Sequence, residues 1–105
     1  MITDEQAEAA NDYIRDNADN LAEAKANRIY LEEFRKSKKA ILMREVDGAE
    51  HIKAAYAYSH KDYLQILEGL REAVREEEKL KWMMTAAQVK VDTYRTQQAN
   101  NRKGY

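Results

Sequence analysis

No proline occurs anywhere in this chain, and its only glycines are Gly48, Gly69 and Gly104. This lack of punctuation constrains the fold more than any motif. Sandwiches, barrels and Rossmann units need a turn residue about every 8–12 positions, and the stretch from Met1 to Val46 holds neither glycine nor proline. Ala, Glu, Lys, Arg and Leu, all strong helix formers, dominate instead. The expected class is all-α, and 105 residues make one domain at most. There is no cysteine, hence no disulfide framework, thiolate nucleophile or zinc ribbon. The longest purely apolar run is Ala40-Ile41-Leu42-Met43, too short to span a bilayer, so no membrane partner is expected. The acidic start Met1–Glu5 lacks an apolar segment, so no secretory signal is expected and the protein is placed in the cytoplasm.

Thr3 and Gln6 have the spacing of a capping box, with Asp4 and Glu5 in the first turn where the helix dipole favours negative charge. One helix is expected over about 4–45, roughly 60 Å at 1.5 Å per residue. Gly48 is its expected C-cap. The connector covers 46–59 and includes a short helix over 50–58. Ser59 is the expected N-cap of a second long helix over about 60–100, with Asp62 as its capping partner. Gly69 inside that helix suggests close backbone approach, and residues 101–105 are expected to fray.

Both long helices carry heptad-like apolar spacing. In the first, Leu21, Ala24, Leu31, Phe34 and Ile41 mark the seam, flanked by Tyr30 and Leu42, with polar residues at Asn17, Asn20, Asn27 and Lys38. In the second, Ile66, Leu70, Ala73, Leu80, Met84, Ala87, Val91 and Tyr94 follow the same rule, interrupted at Glu77. The simplest partner for each seam is the other helix. A two-helix hairpin buries only one stripe per helix, so a homo-oligomer is expected as well.

The formal net charge of −1 hides four blocks. Residues 1–27 carry about −5, 28–44 about +4, 45–78 about −5 and 79–105 about +5. An antiparallel hairpin sets each basic block beside an acidic one, whereas a parallel pair would set like beside like. Exposed pairs contribute about 0–1 kcal/mol each, so the pattern selects topology more than it supplies stability. The expected fold is an antiparallel coiled-coil-like hairpin with a short helical connector.

Chemistry-bearing motifs are sparse. There is no glycine-rich phosphate loop or nucleophile elbow, and no enzymatic role or cofactor is expected. Asp47, Glu50 and His51 have the flavour of a metal cluster, but no Glu-x-x-His motif accompanies them and no metal is expected. Nucleic acid is the better candidate ligand. Arg35, Lys36, Lys38, Lys39 and Arg44 can neutralise phosphates. Tyr56, Tyr58 and Tyr63 follow, with Lys53, His60 and Lys61 interleaved, and Tyr56, Tyr58 and His60 are the stacking candidates for single-stranded bases. The competing reading of the basic run is a solvated face that complements the acidic block of the second helix.

The second long helix closes on Val91-Asp92-Thr93-Tyr94-Arg95-Thr96-Gln97-Gln98-Ala99-Asn100-Asn101-Arg102. This segment resembles the aromatic-Arg-Thr/Ser-x-x-Ala-Asn-x-Arg ending of a group of small helical bacteriophage and prophage proteins. The wider layout, a charged helix ending in Arg35–Ala40, a glycine-containing connector, a tyrosine-rich segment and a second long helix, is similar to that of UvsY-type recombination mediators. The resemblance implies a phage-encoded, ring-forming accessory protein in the host cytoplasm. Such a protein binds single-stranded DNA and helps a recombinase displace a single-strand binding protein. It also implies that Arg35–Lys39 corresponds to the DNA-binding region. The alternative is a helical interaction module, a virion assembly factor or an inhibitor of a host factor, acting by helix-in-groove contacts without nucleic acid.

Overall fold

The computed structural model describes residues 1–103. It is all-α: α1 spans Asp4–Met43, α2 spans Glu50–Ser59 and α3 spans Lys61–Lys103. The long helices pair as an antiparallel hairpin, in two compact units. Unit 1 comprises residues 1–22 and 78–105, and unit 2 comprises residues 23–77.

The helix ends follow from local chemistry. The Thr3 backbone N–H donates to Gln6 Oε1 at 3.0 Å and the Gln6 N–H donates to Thr3 Oγ1 at 3.1 Å, the reciprocal capping box that the sequence predicts. At the other end α1 stops at Met43, two residues short of the expected boundary. Tight i−3 bonds from the Arg44 and Glu45 N–H groups to the carbonyls of Ile41 and Leu42 close it. Gly48 is therefore not the cap. It lies in the connector at φ +134°, a conformation that favours glycine, just ahead of α2. Ser59 does not cap α3 either, because its hydroxyl donates back to the Ala55 carbonyl at 2.7 Å. His60 takes that place: its Nδ1 accepts the Asp62 N–H at 3.0 Å and its carbonyl accepts the Leu64 N–H. α3 stays helical through Lys103, past the expected end at 100; of the tail expected to fray, Gly104 and Tyr105 lie outside the described residues.

Unit 1 packs α1 residues Ala7, Ala10, Ile14, Asn17 and Leu21 on the inner side, at alternating spacings of three and four. On α3 the matching positions are Leu80, Met84, Ala87, Val91 and Tyr94. Ala10, Ala87 and Val91 form its core, with Tyr13 and Ile14 packed against them. The Tyr94 hydroxyl donates to the Asp4 carboxylate and the Ile2 N–H donates to Gln97 Oε1, which fixes an antiparallel register.

Unit 2 continues the same alternation through Ala24, Arg28, Leu31, Arg35, Lys38 and Leu42 on α1, and through Tyr63, Ile66, Leu70, Ala73 and Glu77 on α3. Its core is Leu42, Ala57 and Tyr63, with Met43, Tyr56 and Leu67 around it. The α3 stripe agrees with the expected seam. On α1 the second half is displaced by one position: Phe34 is 39% exposed and Ile41 49%, while Leu42 is 1% exposed. Asn20 and Asn27 also face outward, and only Asn17 and Lys38 of the four expected polar seam residues are half-buried. Gly69 is not explained by close backbone approach, since a Cβ there would meet only Leu31 Cδ1 at an ordinary 3.8 Å.

Candidate functional site

The seam of unit 2 carries charge. Glu77, 6% exposed, is the buried acid. Arg28, opposite it, meets both carboxylate oxygens through Nε and Nη2, and a second carboxylate, Glu32, at 3.1 Å. Hydrogen bonds to Glu77 first and Glu32 second hold the Arg28 guanidinium above the ordinary arginine range. The bidentate fork suits a desolvated position better than a lysine would. Further along, Lys38 Nζ reaches Asp62 Oδ2 at 3.5 Å. The basic block of α1 and the acidic block of α3 therefore meet here, as an antiparallel pairing requires.

Arg35 and Lys39 form no ion pair among the described residues. They line an open cleft of about 420 Å³ together with Lys36, Tyr58 and Tyr63. All three helices build it. The α2 contribution is set by Ala57, which is fully buried against Leu42 and Tyr63. Neighbouring residues on a helix point about 100° apart, so burying Ala57 sends Tyr56 and Tyr58 to opposite sides. Tyr58 faces α1, where Lys39 Nζ sits 4.5 Å above its ring centroid. Tyr58 contact raises the Lys39 pKa above the ordinary lysine value. Tyr63, buried, packs at a steep 77° against Tyr58 with centroids 5.3 Å apart and holds that ring in place.

The cleft gathers four of the eight residues that the sequence marks for nucleic acid: Arg35, Lys36, Lys39 and Tyr58. The others have different surroundings. Lys38 is on the seam with Asp62. Arg44 is exposed in the turn after α1. The Tyr56 hydroxyl donates to Glu45 at 2.8 Å, which raises its pKa, and its ring meets His60 edge-on at 5.6 Å. His60 caps α3. Tyr63, one of the three tyrosines that the sequence sets among basic residues, lines the cleft as well, but as a buried packing residue; its place at the start of the α3 seam, three residues before Ile66, is the signal for that role.

Unit 1 has a second concavity, about 320 Å³, floored by alanine: Ala9, Ala10, Ala86 and Ala87 lie between Tyr13 and Met83. The same unit exposes Trp82 (68%) and Val89 (57%). Among the described residues no three His, Cys, Asp or Glu side chains come together as a metal site, and no helix is long and apolar enough to cross a membrane.

Comparison with protein families, with curated proteins and with solved structures finds no match to this chain.

Proposed function

We propose that this protein binds single-stranded DNA through the unit 2 cleft, as a non-catalytic, oligomeric accessory factor of phage recombination or replication. One observation carries the reading: three cations and two tyrosines, drawn from three helices, line one open cleft. Cations release counterions from the phosphates, and an aromatic face accepts any base, which is the chemistry of sequence-tolerant strand binding. The recombination setting, with a recombinase or single-strand binding protein as protein partners in the host cytoplasm, rests on the layout resemblance. Oligomerisation is supported by exposed area: the chain exposes 7848 Å², where scaling with a mass of 12.3 kDa gives about 6,100 Å² for a monomer. Repeated clefts on one assembly let avidity replace single-site affinity.

The test is fluorescence anisotropy of a labelled oligothymidylate titrated with protein at low and high salt. Binding at low salt that weakens steeply with salt, and falls by about tenfold or more in Lys36→Glu/Lys39→Glu, supports the reading. Absence of low-salt binding refutes it.

A second reading, a protein-interaction module, draws on the alanine-floored groove and exposed Trp82 of unit 1. Partners captured from host lysate that persist after nuclease treatment, together with no strand binding, would favour it.

A further inference from the structure

We propose that Lys39 acts as an internal latch on the cleft: its ammonium covers the Tyr58 ring in the free protein, and a nucleobase stacks there only by displacing Lys39 onto the neighbouring phosphate. The inference deepens the nucleic-acid reading above and rests on it.

The geometry is specific. Lys39 Nζ lies 4.5 Å from the Tyr58 centroid, within cation–π reach, and both residues line the cleft. Lys39 thus covers a face of an aromatic ring that lines the cleft. Tyr58 cannot simply turn aside, because buried Tyr63 packs against it. Lys39 can move, being a point charge on a flexible four-carbon stem with no ion-pair partner among the described residues. Arg35 and Lys36 border the same cleft, so a displaced Lys39 ammonium stays within a cationic rim where a phosphate is attracted.

The exchange makes base and phosphate interdependent. Inorganic phosphate leaves Tyr58 covered and gains little from Lys39. Thymidine offers a displaced ammonium no phosphate and so leaves Tyr58 covered too. A strand supplies both partners, because base–aromatic stacking outweighs a partly exposed cation–π contact and the freed cation joins the phosphate. The ligand class that satisfies the latch is therefore a phosphodiester-linked, unstacked nucleotide.

Nuclear magnetic resonance of the full chain tests this. Ring current from Tyr58 shifts the Lys39 ε-methylene protons upfield in the free protein, and Tyr58→Leu supplies the unshifted position. The latch predicts that saturating oligothymidylate moves the wild-type protons to that position, whereas inorganic phosphate leaves them upfield. Tyr58→Leu also lowers strand affinity by about tenfold, and Lys39→Met reduces the salt slope by about 0.7. Tyr58 is 47% exposed and outside the core, so the variant keeps its fold, which circular dichroism verifies. If oligothymidylate binds while the Lys39 protons stay upfield, the latch is wrong and the binding reading stands. If oligothymidylate does not bind at all, both are wrong.

Discussion

The two units use the same helices, the same antiparallel direction and the same alternation of inward positions, yet fill those positions differently. In unit 1 the α1 seam is alanine, isoleucine, leucine and one asparagine, facing leucine, methionine, alanine, valine and tyrosine. Its described ion pairs, Arg15–Asp12, Arg15–Asp16 and Lys81–Glu78, stay within one helix. In unit 2 the α1 seam includes Arg28, Arg35 and Lys38, and Arg28 and Lys38 pair across to α3. A seam with small apolar residues leaves an alanine-floored groove. A seam with long cations brings charge inside, satisfies part of it with Glu77 and Asp62, and leaves Arg35 at a cleft edge beside Lys36 and Lys39. The candidate site is thus a by-product of how the second unit packs.

Breaking the charged seam has the largest expected effect. Arg28→Met removes the guanidinium that binds both Glu77 oxygens, and the thermal midpoint falls further than for any single core truncation. Arg28→Met/Glu77→Met recovers most of the loss; a double variant no better than the single one would mean that the pair is not what organises unit 2. Truncating the two cores comes next. Leu42→Ala in unit 2 costs about 3 kcal/mol, and Val91→Ala in unit 1 about 1.5 kcal/mol, both read by denaturant unfolding. The opposite order would place the stronger core in unit 1.

Smaller effects sharpen the comparison. Gly69 lies within α3 with room for a methyl group against Leu31, so Gly69→Ala stabilises by about 1 kcal/mol through helix propensity. A loss instead would reveal crowding at that point. Each unit also has one phenol that donates to a carboxylate, Tyr94 to Asp4 and Tyr56 to Glu45, and both phenols titrate above the ordinary 10.0. Because their folded pKa values are raised, their contribution is complete below pH 10 and disappears as pH rises through the raised values. The alkaline decline in thermal midpoint shrinks in Tyr94→Phe/Tyr56→Phe. An unchanged decline would assign it to other groups.

The sequence pattern carries the α3 seam from Ile66 to Tyr94, since apolar residues occupy nearly every inward position and Glu77 stands out as the exception. The second half of α1 misleads for a physical reason. Arginine and lysine lay their carbon stems on the seam while their heads reach water or a partner, so Phe34 and Ile41, one position before Arg35 and Leu42, look like the better stripe. The helix starts are legible where the motif is local, as at Thr3 and Gln6. They are not where side chains compete, as when Ser59 turns back to Ala55 and His60 caps instead. The cleft is half-legible: its cations and Tyr58 form a visible cluster, but the split between Tyr56 and Tyr58 depends on the burial of Ala57, a tertiary fact.

The central claim is that the cleft of unit 2 holds the strand. Matched charge reversals test it most directly: Lys36→Glu/Lys39→Glu in unit 2 against Lys90→Glu/Arg95→Glu in unit 1, with oligothymidylate affinity measured at one low salt concentration. The net-charge change is the same for both variants. Loss of about tenfold or more in the first variant with near wild-type binding in the second is the predicted result. Equal losses would mean a diffuse electrostatic attraction, and a loss confined to the second would move the site to unit 1.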